Sequence, residues 1–126
     1  MLLNYIFLLF CSTVFYRTTA DYKKFDFTPF WSYKAIEEGA DNLILENVVN
    51  VMMFLPIGFL LGCAFLNMRW WKALLIGCGI SVSIEALQYF YHRGFSEIDD
   101  VMHNTLGCVI GLGVYKLFEL TFRNAK

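Results

Sequence analysis

The apolar residues of this chain fall into four runs that are separated by polar connections. The runs cover residues 1–16, 43–66, 73–91 and 100–120. The last three are close to the roughly 20 residues that a helix needs to cross a bilayer core. The pattern therefore predicts an all-α, polytopic membrane protein. We expect a single domain over residues 1–126, built as a four-helix transmembrane bundle.

The first run is the shortest, because residues 1–16 rise about 1.5 Å each and fall a little short of the hydrocarbon thickness. Two interpretations are open, a retained helix or a cleaved signal peptide. A signal peptide requires a basic stretch before its apolar segment, and this run holds no Lys or Arg. Only the small residues Thr18–Ala20 favour cleavage. We favour the retained helix.

The connection between the first and second helices combines charged and aromatic residues. Residues 17–42 include the patch Phe25–Trp31, which is too short to span a membrane. Aromatic rings beside charges are typical of the headgroup zone, where one side of a ring is apolar and the other is wet. The sequence therefore predicts an interfacial connection here.

Composition agrees with the membrane class and excludes others. Hydrophobic residues make up 58% of the chain and charged residues 17%, far from globular usage. The net charge of −1 provides no basic field, so we expect no nucleic-acid partner. The cysteines lie inside apolar runs without C-x-x-C spacing, which indicates small hydrophobic side chains. They are Cys11, Cys63, Cys78 and Cys108.

Polar residues inside the apolar runs are the candidates for function, because an ionised carboxylate near the membrane centre costs about 2.5–3.5 kcal/mol. Consecutive spans are antiparallel, so the start of the second, the end of the third and the start of the fourth lie at one face. Spacings of three or four residues place the polar groups of each span on one helix face. We expect them to converge in one ligand-binding pocket. The predicted binding residues are Asn47, Asn50, Glu85, Gln88, Arg93, Asp99, Asp100 and Asn104.

Structural roles are the alternative interpretation for several of these residues. The asparagines can serve as hydrogen bonds between helices. Asp99 fits the N-cap of the fourth helix, with Asp100 in its first turn. Gly107 and Gly111 form a small-xxx-small pair that favours close helix packing. Where the polar residues converge, Arg93 is available as the cation for Glu85, Asp99 or Asp100.

Other chemistries have weaker support in the sequence. No Ser or Cys stands in a recognisable nucleophile motif. A metal site would have to use side chains without H-E-x-x-H or comparable spacing, so we predict no metal and no cofactor. The conceivable ligands are Glu85, His92, Asp99, Asp100 and His103.

Three stretches of the chain together resemble the VanZ-like family of bacterial integral membrane proteins. They are FDFTPFWSY at 25–33, ENVVNVMMFLPIGFLLG at 46–62 and SIEALQYFYHRGFSEIDDVMHNTLG at 83–107. With the glycine pair beyond, the resemblance covers most of the chain from Phe25 to about Gly113. The family pattern combines an N-x-x-N-x-x-x-F-x-P-x-G helix, an E-x-x-Q helix end, R-x-F and a D-D…N-T-x-G start. Thr28 and His103 are local departures from it. The resemblance singles out Pro29, Phe30, Asn47, Asn50, Phe54, Pro56, Gly58, Glu85, Gln88, Arg93, Phe95, Asp99, Asp100, Asn104, Thr105 and Gly107.

Three hypotheses for function follow. In the first, the polar cluster of a VanZ-like envelope protein binds a membrane lipid, a lipid-linked precursor or a lipoglycopeptide; the resemblance implies a contribution to teicoplanin-type resistance. In the second, the chain is an intramembrane enzyme for an envelope lipid precursor, with Glu85 or Asp100 as general base. In the third, it is a structural module of a larger assembly. Neither turnover nor oligomeric state is fixed by the sequence.

Orientation follows from the cations of the connections, which nearly balance between the two faces. Cations close to span ends count most, and this favours the short turn at residues 67–72 and the C-terminal tail as cytoplasmic. Together with the resemblance, this predicts a multi-pass protein of the bacterial cytoplasmic (inner) membrane. Both termini are expected inside and the polar cluster toward the outer face.

Overall fold

The computed structural model describes residues 1–15, 25–65, 67–93 and 96–124, and these are mostly helical. Within these residues, three helices are long and apolar enough to cross a membrane, and the all-α class is confirmed. The first run forms the shorter apolar segment Leu2–Phe15. A bundle of four spans therefore stays a prediction.

In chain order, the described elements are α1 (Leu2–Phe10), a π-helical segment (Cys11–Phe15), β1 (Phe25–Asp26), α2 (Trp31–Glu37), α3 (Asn42–Ala64), α4 (Trp70–Tyr91), β2 (Ser96–Glu97) and α5 (Ile98–Asn124). Helix α4 begins at Trp70, three residues before the predicted start, because the N–H groups of Lys72 and Ala73 bond to Arg69 O and close the first turn in the interfacial segment. Strands β1 and β2 pair in parallel, with Phe25 opposite Ser96.

Helices α3 and α5 pack backbone against backbone. A Cβ added at Gly107 would overlap Val51 O, and one added at Gly111 would overlap Leu55 O. Only hydrogen fits at either position, so the small-xxx-small spacing sets the distance between these two helices. Because the spacing covers one turn of α5, it also fixes which face of α5 lies on α3.

The apolar core lies where α3, α4 and α5 meet, while large apolar side chains cover much of the outside. Leu75 and Leu117, for example, are more than half exposed. Such a surface is stable in lipid and costly in water. Helix α1 packs on α3, and its Tyr5 hydroxyl donates a hydrogen bond to Met53 O at 2.9 Å. The buried apolar residues of the three long helices are Phe54, Ile57, Leu61, Ala73, Ile84, Cys108 and Leu112.

A Schellman motif ends α4 and turns the chain toward α5. His92 takes the left-handed conformation with φ 53°, where glycine or asparagine is usual. The N–H of Arg93 bonds to Gln88 O at 2.9 Å and that of His92 to Tyr89 O at 3.5 Å. These two bonds satisfy carbonyls that the last turn would otherwise leave unpaired.

We predict that Gly107→Ala destabilises the protein, because the new methyl group would overlap the backbone of α3 at Val51 and force α3 and α5 apart. The expected loss is about 1–3 kcal/mol, measured as thermal unfolding in detergent. Gly79→Ala is the matched control, because a Cβ at Gly79 meets nothing within 4 Å. Equal effects of the two substitutions would contradict the close packing of α3 on α5.

Candidate ligand site

One cavity of about 450 Å³ lies among the ends of four helical segments; we call it the site cavity. The π-helical segment, the first turns of α3, the last turns of α4 and the start of α5 all contribute to its wall. Their meeting at one level means that consecutive long helices run in opposite directions. The lining residues are Ser12, Thr13, Leu45, Glu46, Val49, Asn50, Met53, Ile84, Glu85, Gln88, Asp100 and Asn104.

The predicted binding residues divide into two groups by position. Asn47, Arg93 and Asp99 are not among the described residues that line the site cavity. A ligand there would therefore meet only part of the predicted set. The predicted residues that do line the cavity are Asn50, Glu85, Gln88, Asp100 and Asn104.

Two amide side chains join the three long helices at the level of the site cavity. Asn50 of α3 donates from Nδ2 to Asp100 Oδ1 of α5 at 2.7 Å. Asn104 of α5 donates from Nδ2 to Ser81 Oγ of α4 at 2.8 Å. Asp100, Asn104 and Ser81 are each at least nine-tenths buried, where a polar group without a partner is costly. These bonds therefore fix the relative height and rotation of the helices.

Glu85 holds the connection between α4 and α5 at the end of the cavity. It is 2% exposed, and its Oε2 accepts the backbone N–H of Glu97 at 3.1 Å. Its main-chain oxygen accepts the Ser96 hydroxyl at 2.8 Å. A carboxylate that receives a backbone N–H is held in one orientation. The acid therefore positions strand β2 as well as lining the cavity.

Gln88 lies one turn beyond Glu85 and joins α4 to the first helical segment. Its Nε2 donates to Thr13 O in the π-helical segment at 3.0 Å. A π-helical turn leaves main-chain carbonyls with altered partners, and such turns are frequent at functional sites. The contact places Ser12 and Thr13 in the wall of the cavity.

Asp99 caps α2, and its interpretation as the N-cap of α5 is wrong. Helix α5 begins at Ile98, so Asp99 lies within its first turn. Its carboxylate accepts the N–H of Phe30 at 2.6 Å, the N–H of Ser32 at 3.0 Å and the Ser32 hydroxyl at 2.6 Å. Phe30 has φ 61°, a left-handed conformation that is uncommon for an aromatic residue. The charge-assisted bond to Asp99 holds it there.

Asn47 lies beside this cap instead of in the site cavity. Its Nδ2 donates to Ser32 Oγ at 3.3 Å. It lines a second cavity of about 470 Å³, which is mostly apolar. There the Tyr33 hydroxyl and His103 Nε2 are 2.8 Å apart. His103, which departs from the family pattern, therefore pairs with Tyr33 of α2.

Sequence reasoning did not single out Ser32, Tyr33 or Ser96. Ser32 is 1% exposed although it stands in a polar connection, where neither hydropathy nor helical periodicity marks a residue as buried. Its place in the FDFTPFWSY stretch was the only available signal. Of the residues that the resemblance names, Phe95 lies outside the described part of the chain.

The side chains considered as metal ligands contact different parts of the protein. The carboxylate of Asp99 binds the start of α2, while His103 contacts Tyr33. His92 is exposed at the end of α4. Within the described ranges, no three His, Cys, Asp or Glu side chains are grouped so that they could hold a metal ion.

The sequence model of the VanZ/LLP1 family matches residues 1–119. The chain belongs to this family. The resemblance to VanZ-like proteins is therefore confirmed, and the chain is a membrane protein of VanZ type. It is similar to Protein VanZ of Enterococcus faecium, with 32% identity over 72 residues. The aligned region is 57% of this chain but only 45% of that protein. No solved structure matches.

We predict that Asp99→Ala frees the start of α2. Hydrogen exchange of the Phe30 and Ser32 amides should accelerate by about fivefold or more, because losing a helix cap costs about 1 kcal/mol. Mass spectrometry of peptides covering residues 30–37 measures this exchange. The control is Asp41→Ala, since Asp41 precedes α3 and its side chain makes no cap bond. Unchanged exchange in Asp99→Ala would refute the cap.

Proposed function

We propose that this VanZ-family protein binds an amphiphile of the bacterial envelope in the site cavity. The candidates are a membrane lipid, a lipid-linked envelope precursor and a lipoglycopeptide. The observation that supports the proposal most is the mixed wall of the cavity. Apolar side chains lie beside carboxylates, amides and hydroxyls, which is the combination that a polar head with an apolar tail requires.

The size and position of the cavity agree with such a ligand. Ligand pockets usually measure about 300–1,000 Å³, and the site cavity has about 450 Å³. Leu45 and Val49 of its wall are 67% and 42% exposed on the outer surface of α3. An acyl chain can therefore extend from the cavity into surrounding lipid, while the head stays beside the buried polar groups.

We further propose that binding contributes to tolerance of teicoplanin-type lipoglycopeptides, as the likeness to VanZ implies. A protein that captures an acylated antibiotic lowers the amount of antibiotic that reaches its target. A protein that captures the envelope lipid on which the antibiotic acts lowers the amount of target. The buried carboxylate of Glu85 and the Asn50–Asp100 pair supply the polar contacts for that capture.

We also propose that Leu2–Phe15 crosses the cytoplasmic membrane as a fourth span. The contact of Tyr5 with Met53 and that of Thr13 with Gln88 support this topology, because they pack the segment along α3 and α4. The π-helical end reaches the level of the site cavity. With four spans, both termini lie on the same side of the membrane. The distribution of cations favours the cytoplasm for the termini and the outer leaflet for the cavity.

Filling part of the site cavity should weaken amphiphile binding. We predict that Val49→Trp reduces the lipid retained by the purified protein by about tenfold, or ~1.4 kcal/mol, because the indole occupies the space. Native mass spectrometry measures the retained lipid. Val114→Trp is the matched control, since Val114 is equally exposed, at 43%, on the distant part of α5.

Teicoplanin tolerance of cells that express these two variants gives the second readout. Loss of tolerance with Val49→Trp and retention with Val114→Trp supports the proposal. Wild-type lipid retention in a correctly inserted Val49→Trp protein would contradict it.

The topology has its own test. A green fluorescent protein fused after residue 126 should fluoresce, because this protein folds in the cytoplasm and not after export in unfolded form. An alkaline phosphatase fused at the same point should be inactive. Phosphatase activity without fluorescence would overturn the proposed orientation.

A further inference from the structure

The second cavity, of about 470 Å³, lies between α2, α3 and α5 and shares none of its described lining residues with the site cavity. Side chains of α3 at spacings of three and four residues form much of its wall, which places them on one helix face. Ile44, Val48 and Met52 are between 48% and 60% exposed, so the cavity opens toward the apolar outer surface. Surrounding lipid therefore has direct access to it. The apolar lining residues are Ile36, Ile44, Val48, Val51, Met52 and Leu106.

A tyrosine and a histidine form a polar pair in this wall. Tyr33 and His103 both line the cavity, and the Tyr33 hydroxyl lies 2.8 Å from His103 Nε2. His103 is 6% exposed, and its Nδ1 has no hydrogen-bond partner among the described residues. A neutral imidazole carries its hydrogen on one nitrogen only. Because a buried N–H without an acceptor is rarer in proteins than a buried acceptor without a donor, the hydrogen belongs on Nε2.

This tautomer decides what the wall offers to a ligand. His103 Nε2–H donates to the Tyr33 hydroxyl oxygen, so the hydroxyl keeps its own hydrogen for another acceptor. Asn47 adds a second donor, because its Nδ2 carries two hydrogens and directs one of them to Ser32 Oγ at 3.3 Å. No Asp, Glu, Lys or Arg is among the described lining residues. The cavity therefore offers hydrogen-bond donors in an otherwise apolar wall.

The donors and the apolar stripe lie at different depths. Helices α3 and α5 run in the same direction, and Gly107 of α5 lies on Val51 of α3. His103 and Asn47 each precede this contact by four residues, so they lie near one level. Met52 lies about 7.5 Å further along α3 than Asn47, at 1.5 Å per residue. The cavity thus continues from the donors toward the middle of the membrane.

We propose that the second cavity binds one acyl chain of a diacyl membrane lipid, with the ester carbonyl accepting hydrogens from Tyr33 and Asn47. An ester carbonyl has acceptor lone pairs and no charge, which matches donors in a wall without charged residues. In a bilayer this carbonyl lies between the head group and the chain. The donors meet it there, and the chain follows the apolar stripe inward. The site recognises the linkage of the lipid and leaves the head group outside, and it is separate from the amphiphile site proposed above.

Two lipids that differ only in this linkage test the proposal. They are dioleoyl phosphatidylglycerol and its dioleyl ether analogue, which keeps the head group and the chain length and lacks both carbonyls. Each is titrated against the intact protein in uncharged detergent, and native mass spectrometry measures binding. We expect the ester lipid to bind about fivefold more tightly, which is the effect of one net hydrogen bond.

Two variants connect the preference to this cavity. Tyr33→Phe should abolish it, because the ring stays and the hydroxyl is lost; Tyr91→Phe is the matched control, since Tyr91 is 61% exposed at the end of α4 and does not line the cavity. Val48→Trp should weaken binding of the ester lipid about fivefold by occupying part of the cavity. It serves as the test if Tyr33→Phe does not fold. Its control is Val82→Trp, because Val82 is 50% exposed on α4.

The outcomes separate this inference from the proposed function. Equal binding of the two lipids by the unaltered protein would overturn it, and so would an ester preference that persists in folded Tyr33→Phe. Unchanged binding of the ester lipid in folded Val48→Trp would overturn it as well. The preference should persist in Val49→Trp, whether or not that substitution lowers lipid retention. Loss of the preference in Val49→Trp would assign the ester contact to the site cavity and contradict the second site.

Discussion

A polar side chain inside an apolar helix must find its hydrogen-bond partner within the protein, and this constraint organises the whole site. Lipid offers no donors or acceptors, so each amide or carboxylate brings a neighbouring helix with it. Asn50 brings α3 to Asp100, and Asn104 brings α5 to Ser81. The cavity lies where these bonded pairs hold helix ends together without filling the space between them.

The start of α5 serves two surfaces at once. Asp99 and Asp100 are adjacent, so their side chains leave the helix about 100° apart. The first holds α2 and the left-handed Phe30, while the second lines the site cavity. The backbone contact of Gly107 with Val51 lies two turns further along and prevents α5 from rotating. Packing glycines and polar residues therefore depend on each other.

Much of the cavity wall could be predicted from the sequence, because helical spacing and antiparallel spans are geometric rules. They placed Asn50, Glu85, Gln88, Asp100 and Asn104 at one level. These rules did not predict that Asn47 and Asn50 line different cavities. Residues three apart point in directions only about 60° apart around the helix, and α5 lies between the two side chains. Asp99 was assigned to the pocket because nothing in the sequence indicated its actual partner. That partner, Ser32, lies in a connection without helical periodicity. The ligand and its turnover have no geometric signature of this kind.

The most direct test of amphiphile binding in the site cavity is photo-crosslinking in living cells. A photoreactive residue at position 49 reports on the cavity, and one at the exposed lipid-facing position 117 reports on bulk lipid. Mass spectrometry of the adducts should show one amphiphile at position 49 far above its share of membrane lipid, and bulk composition at position 117. The same bulk composition at both positions would contradict the account.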